Sequence, residues 1–201
     1  EEIVQTDEEI AAELYKGNVV KYLLVPEDAE IPVGLDKEMI IVNLPVDETY
    51  VSSFDALETM NTLDLIENIS AVGFEKEECE LEDIVDAMEA EDIVFAGEYL
   101  DPDYKELVKV KSNLAILPSD ILPMDEDSED LEGEDELTVK EQTERMEKIA
   151  EKFAMLNIPM IVDRSSDEKT DLAKYEWIKV YGVLFGEEEK AVSLFDIAVK
   201  A

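Results

Sequence analysis

Histidine is absent from this chain of 201 residues, and cysteine occurs once, as Cys79. Histidine is the commonest transition-metal ligand of proteins and the usual general base near neutral pH. Its absence therefore excludes a histidine-based zinc hydrolase and a Ser-His-Asp mechanism. A single cysteine cannot form a disulfide within the chain, and this leaves the compartment undecided because many exported proteins have no disulfide.

Long apolar runs are missing as well. The longest, such as residues 39–42 (MIIV), have the length of a strand, whereas a membrane span needs about 18 apolar residues. No signal peptide is visible, and the chain opens with Glu1 and Glu2. We therefore expect any targeting segment to have been removed or never to have existed.

The motifs of several enzyme classes are also absent. The sequence contains neither G-x-G-x-x-G nor G-x-x-x-x-G-K-[ST], the two glycine-rich patterns that hold phosphates. It lacks the G-x-S-x-G nucleophile elbow and the C-x-x-C pair. Acidic residues are so frequent that spacing singles out no glycosidase-type carboxylate pair. We expect a protein with no catalytic residues and no cofactor, and an enzyme of Rossmann-like architecture is an alternative.

Positive charge is scarce, because 17 basic residues stand against 54 acidic ones and give a net charge of -37. Such a field repels nucleic acid phosphates and anionic lipid heads, so we expect neither as a partner. The acidity is typical of solubility in a salty or wall-associated environment. An acidic surface that docks a protein partner is the alternative interpretation.

Short apolar runs alternate with amphipathic stretches along the chain. Runs of strand length occur at residues 19–25, 39–44, 69–74, 93–96, 114–117 and 158–162. Apolar residues at helical spacing predict helices over residues 49–63, 81–88, 102–110, 138–156, 165–186 and from 187 onward. Strands that alternate with helices form β-α-β units. The sequence therefore predicts an α/β fold of three Rossmann-like layers, with a mostly parallel sheet and helices on both faces.

Three local signals mark helix ends. Thr138 and Glu141 form a capping box, and Ser165 and Glu168 have the same spacing and predict a second one. Gly186 is a natural residue to follow the end of a helix.

The segment of residues 125–136 (DEDSEDLEGEDE) holds nine acidic residues in twelve. Mutual repulsion predicts an extended, solvated loop. Weak calcium binding is the alternative, because four acids occupy positions 1, 3, 5 and 12 of an EF-hand-like loop. These residues are Asp125, Asp127, Glu129 and Glu136. Position 6 is Asp130 instead of the glycine that the sharp turn of such a loop requires.

Ligands of open parallel sheets bind beyond the carboxyl ends of the strands. This rule selects four turns that we expect on one rim of the sheet, at residues 45–53, 97–103, 118–123 and 163–168. Their polar and aromatic members are the candidate binding residues. These are Thr49, Tyr50, Ser52, Ser53, Glu98, Tyr99, Ser119, Asp120, Arg164, Ser165 and Ser166.

Arg164 is one of two arginines in the chain and follows a predicted strand. It could clamp a ligand carboxylate, or it could balance Asp163 and Glu168. Tyr50 and Tyr99 could stack on a ligand, but packing at the edge of the core is the favoured role of each.

Residues 158–182 (IPMIVDRSSDEKTDLAKYEWIKVYG) contain a predicted strand that ends in V-D-R-S-S and a predicted helix with E-W-I-K-x-Y-G. These motifs resemble the solute-binding proteins of ABC importers for iron chelates and cobalamin. Residues 50–73 are similar to the first helix of that family and the strand after it, and residues 96–117 to a loop, helix and strand. The likeness extends over residues 19–191.

The resemblance implies two Rossmann-like lobes joined by one long helix. Residues 1–186 would form the N-terminal lobe with residues 125–136 as an insert, residues 187–201 would begin the connector, and the C-terminal lobe would be absent. It further implies a monomer outside the cytoplasm, with a lipid anchor at an N-terminus beyond this chain. Its partners would be a small-molecule metal chelate, such as an iron siderophore, haem or a cobalamin, and an ABC permease.

One departure from that family bears on the site. Many of its members have a histidine, and often an arginine, in the turn where this chain reads DEKTDLAK at residues 167–174. Ligand contacts from that turn are therefore not carried over. A cell-surface interaction module built on the same fold is the main alternative function.

Overall fold

The computed structural model describes residues 19–35, 39–124 and 137–200. Residues 125–136, and with them the calcium hypothesis, lie outside the described residues. Seven strands are described: β1 Lys21–Val25, β2 Met39–Asn43, β3 Thr49–Val51, β4 Ile69–Val72, β5 Val94–Phe95, β6 Leu114–Pro118 and β7 Met160–Asp163. The central sheet is entirely parallel and has the spatial order β5-β4-β3-β6-β7.

Helices cover both faces of this sheet. The described α-helices are α1 Phe54–Thr62, α2 Glu82–Glu89, α3 Tyr104–Lys109, α4 Val139–Met155, α5 Asp171–Glu176, α6 Ile178–Phe185 and α7 Glu188–Lys200. Apolar residues of α1, α2, α6 and α7 pack on one face, and those of α3 and α4 pack on the other. The predicted three-layer α/β architecture is therefore confirmed.

Strands β3, β4, β6 and β7 are buried along nearly their whole length, which explains their largely apolar sequences. In β6, Leu114 and Ile116 join the core on one side of the sheet, whereas Ala115 and Leu117 join the core on the other. This alternation follows from the two-residue period of a strand. The pattern that identified β6 in the sequence is thus the pattern that lets it bind helices on both sides.

The predicted capping signals have different outcomes. The capping box of Thr138 and Glu141 begins α4 as expected, and Gly186 ends α6 with a φ of 75°. The expected box of Ser165 and Glu168 does not form. Residues Ser165–Asp167 make a short 3-10 turn instead, and Thr170 caps α5 by accepting a hydrogen bond from the backbone N–H of Ala173. Ser165 is buried beside β7, which removes its side chain from a capping role.

The expected single helix over residues 49–63 is wrong at its start. Residues 49–51 form β3, the central strand, and α1 begins at Phe54 with Ser53 as its N-cap. Val51 lies at helical spacing from Phe54 only by coincidence. The short run TYV is fully buried between two helix layers, and its β-branched and aromatic residues favour a strand in that setting.

The expected single sheet is also wrong in one respect, since β1 and β2 form a separate parallel pair. This pair lies beside the edge strand β7, where the Tyr22 hydroxyl donates a hydrogen bond to the carbonyl of Met160 at 3.4 Å. After Asn43 the chain leaves the pair and enters the middle of the central sheet as β3. The turn after β2 therefore does not follow a strand of the central sheet.

The final helix packs against α6 at a close contact. Gly182 lies so near α7 that a Cβ atom on it would come within 2.5 Å of the Ala191 side chain. The Lys190 ammonium group also donates a hydrogen bond to the carbonyl of Leu63 at 2.7 Å. None of the described helices has both the length and the apolar character needed to cross a bilayer.

The core prediction concerns Phe153, which is fully buried on α4. Its ring lies 6.3 Å from the ring of Tyr50 and 5.4 Å from that of Tyr104, measured between centroids. Phe153→Ala should lower the free energy of unfolding by about 3–5 kcal/mol, because it leaves a cavity between these rings. Met155→Ala is the matched control on the same helix, at a side chain that is 62% exposed. Chemical denaturation that gave equal losses for the two variants would contradict the packing described.

Candidate functional site

The strand order of the central sheet reverses between β3 and β6. From β3 the chain proceeds to β4 and β5 on one side, and it then returns to form β6 and β7 on the other side. Beyond β3 it enters α1 on one face, whereas beyond β6 it leads through a 3-10 turn toward α4 on the opposite face. Loops that diverge in this way leave a crevice at the carboxyl ends of the two strands.

A buried carboxylate holds the structure beneath this crevice. Asp163 is the last residue of β7 and is 2% exposed. One of its oxygens accepts hydrogen bonds from the Ser53 hydroxyl at 3.0 Å and the Tyr181 hydroxyl at 2.9 Å. The other accepts from the backbone N–H of Ser165 at 2.9 Å. We call these four residues the Asp163 cluster.

The Asp163 cluster meets the condition under which a protein tolerates a buried charge, since the carboxylate is hydrogen-bonded by several donors. Tyr181 is completely buried, and this burial, followed by the neighbouring Asp163 charge, raises its pKa well above the ordinary tyrosine value. The phenol therefore keeps its proton and acts as a donor. The cluster joins β7 to the start of α1 and to α6.

A second group of polar side chains lies at the rim directly above. The Ser119 hydroxyl, after β6, lies 3.1 Å from the Ser166 hydroxyl and donates to a carboxylate oxygen of Asp167 at 2.9 Å. The other carboxylate oxygen of Asp167 accepts from Nε of Arg164 at 3.0 Å. We call Ser119, Arg164, Ser166 and Asp167 the rim network. It joins the ends of β6 and β7 on one side of the crevice.

The Gly97 turn forms the far end of the rim. Gly97 has a φ of 76°, and a Cβ atom there would come within 2.5 Å of the Asp101 carbonyl oxygen, so glycine is required. Its carbonyl accepts a hydrogen bond from the Tyr50 hydroxyl at 2.7 Å. Beyond it, Glu98 is exposed and Tyr99 is half-buried. Burial, with the nearby Asp120 charge, raises the pKa of Tyr99.

Three of the four expected turns reach this rim, and the turn at Pro45 does not. Asn113 immediately precedes β6, and its backbone N–H donates to the Glu48 carbonyl at 2.8 Å. Its side chain also donates to the Asp47 carboxylate at 2.8 Å. The Pro45 turn therefore lies at the amino edge of the sheet, opposite the rim. The turn of Ser52 and Ser53, at the end of β3, takes its place.

The eleven candidate residues divide accordingly. Thr49 is the first residue of β3, at the amino edge, and Tyr50 is fully buried in the core. Thr49 therefore lies away from the rim, whereas the Tyr50 ring packs in the core and its hydroxyl reaches the carbonyl of Gly97. The other nine lie at the carboxyl ends of their strands or in the turns that follow. They are Ser52, Ser53, Glu98, Tyr99, Ser119, Asp120, Arg164, Ser165 and Ser166.

Arg164 pairs with an acid that the sequence did not single out. Its Nε bonds Asp167, whereas Asp163 is committed to the buried cluster and Glu168 accepts from the Trp177 indole N–H at 3.2 Å. The roles of Asp163 and Tyr181 were missed because Tyr181 occupies an apolar helical face. The available signal was an acid at the end of the otherwise apolar strand MIVD.

Two grooves on the surface of the described residues lie outside the rim network. One of about 330 Å³ is bounded by α4 and Leu100, and one of about 660 Å³ follows the edge strand β5. Neither is lined by a residue of the rim network. Within the described ranges, no three acidic or cysteine side chains converge to hold a metal ion.

The fold has counterparts among solved structures. A periplasmic binding protein from Veillonella parvula matches 77% of this chain with a TM-score of 0.50 and 17% identity. The chain therefore shares the fold of the aligned part of this periplasmic binding protein, as the resemblance implied. It spans 44% of the length of the Veillonella protein. No protein-family model matches the chain, and no curated protein sequence does so significantly.

Two further structures align at lower scores. The petrobactin-binding protein YclQ of Bacillus subtilis aligns over 73% of this chain and 41% of its own, with a TM-score of 0.47 and 13% identity. A structure of an ABC-type Fe3+-hydroxamate transport system from Saccharomonospora viridis aligns over 78% and 48%, with a TM-score of 0.47 and 18% identity.

The Asp163 cluster predicts a large difference between two neighbouring acids. Asp163→Ala should lower the free energy of unfolding by at least about 3 kcal/mol, because two hydroxyls and one N–H lose their buried acceptor. Asp167→Ala should change it by no more than about 1 kcal/mol, since its ion pair is exposed to solvent. Urea denaturation of both variants checks this difference, and equal effects would show that Asp163 has no special structural role.

Buried tyrosines predict a loss of stability in alkali. Burial raises the pKa of Tyr22, Tyr50, Tyr104 and Tyr181 above the ordinary value of 10.0. Above pH ~10 the unfolded chain releases these protons while the folded chain retains them, so the free energy of unfolding should fall with rising pH. Each tyrosine contributes a slope of up to about 1.4 kcal/mol per pH unit.

Tyr181→Phe isolates one of these contributions. Its free energy of unfolding should run parallel to that of the wild-type chain from pH 7 to 9 and fall less steeply above pH ~10. Identical slopes above that pH would mean that Tyr181 ionises as readily in the folded state as in the unfolded state.

Proposed function

We propose that the chain forms one wall of the substrate-binding component of an ABC importer, which captures a metal chelate and delivers it to a permease. The rim network, which lies beside the switch point at the ends of β6 and β7, carries this proposal. It presents two serine hydroxyls and an arginine at the carboxyl edge of the strands, where sheets of this kind bind ligands. The proposed ligand is a metal chelate such as an iron siderophore, haem or a cobalamin.

In this proposal the wall binds a ligand through side chains held in fixed positions, and no chemical step takes place. The Asp163 cluster fixes the backbone below the crevice, so that Ser119, Arg164 and Ser166 present preformed donors and acceptors to a ligand. Tyr99 and Asp120 extend this surface toward the Gly97 turn. The chain has no histidine to move protons near neutral pH. Capture and release therefore fit these side chains better than catalysis.

A second lobe would supply the opposite wall, and α7 would begin the helix that leads to it. A ligand held by one wall keeps much of its surface in water, so the 201-residue chain alone should bind weakly. In this proposal the protein is a monomer outside the cytoplasm, anchored through a lipidated N-terminus that lies beyond this chain.

A thermal-shift screen tests the proposed function. Ferric hydroxamate, catecholate and carboxylate siderophores, haem and cobalamin would each be added to the chain at increasing concentration. At about ten times its Kd, a ligand should stabilise the folded state by about 1.4 kcal/mol, which raises the Tm by about 3–6 °C. The double variant Ser119→Ala with Ser166→Ala should lose most of that increase.

Ser193→Ala is the matched control, at an exposed serine on α7. It should keep the full increase in Tm. If none of these compounds raised the Tm, or if the double variant kept the same increase as the control, the rim would not be the site of chelate capture.

A further inference from the structure

The rim network already contains a carboxylate in the position that a ligand carboxylate would take. One oxygen of Asp167 accepts from the Ser119 hydroxyl at 2.9 Å, and the other accepts from Nε of Arg164 at 3.0 Å. A cation and a neutral donor, each directed at one oxygen, are a common way for proteins to bind a carboxylate. Asp167 thus fills a carboxylate site formed by Ser119 and Arg164.

The backbone keeps Asp167 in this position. Its N–H donates to the carbonyl of Arg164 at 3.1 Å, which closes the 3-10 turn after β7. An acid tethered three residues from its partner acts at an effective concentration in the millimolar range or higher. A ligand carboxylate must therefore displace Asp167 before it can reach Nε of Arg164.

The surrounding charges also oppose an anionic ligand. Glu98 and Asp120 are exposed on the same rim. The nearby Lys174 is paired with Asp55 at 2.6 Å, and hydrogen bonding to Asp55 raises its pKa. Salt screens the distant part of the net charge beyond about 8 Å, but it screens these short-range contacts little. A neutral or cationic chelate does not compete with the Asp167 carboxylate and is not repelled by the acidic side chains of the rim.

We infer that Asp167 is a specificity-determining residue that occupies the carboxylate site of the rim and thereby reserves the rim for neutral or cationic chelates. This inference rests on the proposed function. Removal of the Asp167 charge should open the site to carboxylate chelates and shift the preference of the rim toward anionic ligands.

Two gallium(III) chelates of opposite charge test the inference by NMR titration. Gallium desferrioxamine B is a cationic hydroxamate chelate, and gallium citrate is an anionic carboxylate chelate. The wild-type chain should bind the cationic chelate more tightly, and Asp167→Asn should tighten gallium citrate binding by at least about tenfold. Glu176→Gln is the matched control, because it removes one charge from the exposed i,i+3 pair with Lys179. It should leave the preference unchanged.

A second titration examines the carboxylate site without any chelate. The chain has two arginines, Arg145 and Arg164, so its spectrum contains two Nε signals, and Arg164→Lys identifies one. Sodium acetate should shift the Arg164 signal in Asp167→Asn at concentrations at least about tenfold lower than in the wild-type chain. The Arg145 signal is the internal control.

The outcomes separate the inference from the proposed function. Equal acetate dependence in the two chains, or a wild-type preference for gallium citrate, would overturn the role of Asp167. Binding of neither chelate to any variant would contradict the proposed function, while the acetate titration would still decide whether Asp167 occupies the site.

Discussion

The structure depends on one buried carboxylate. Asp163 ends β7 inside the protein and binds donors from three separate parts of the chain: Ser53 before α1, Tyr181 in α6 and the backbone of Ser165. Burial of an unpaired carboxylate would be prohibitively costly, so the three donors must stay in place for the fold to form. These hydrogen bonds fix the end of β7 relative to α1 and α6.

The hydrogen bonds of Asp163 also determine how the residues of the rim are placed. Because Asp163 fixes the backbone at Ser165, the residues on either side of it project from a defined turn, and Arg164 and Asp167 meet beside Ser119. The same turn therefore has a buried half that stabilises the fold and an exposed half that can meet a ligand. The two acids also differ in their partners, because the buried Asp163 accepts hydrogen bonds from neutral donors and the exposed Asp167 pairs with Arg164.

The sequence predicts the layers of the fold better than its connections. The apolar strands and the alternation with helices identify a parallel sheet, because burial on both faces leaves a signal in every residue of a strand. The three residues of β3 were assigned to a helix because Val51 shares a helical spacing with Phe54, and a run so short carries little period of its own. That one error also placed the Pro45 turn on the wrong edge.

The candidate site was predicted as a set of turns but not as a set of contacts. The rule for the carboxyl ends of strands selects Ser119, Arg164 and Ser166, and the structure brings these three residues together. The pairing of Arg164 with Asp167, and of Asp163 with Tyr181, depends on how a 3-10 turn orients successive side chains. In a chain with 54 acidic residues, the buried Asp163 is marked by its place at the end of the apolar strand MIVD, but no sequence pattern marks Asp167 as the partner of Arg164.

Amide chemical-shift mapping with gallium desferrioxamine B tests most directly whether the carboxyl edge of the sheet is the ligand wall. The account predicts the largest shifts at residues 52–53, 119–120 and 164–167, with little change at residues 45–48 and 113 on the opposite edge. Largest shifts on that opposite edge, or along the groove beside β5, would contradict it.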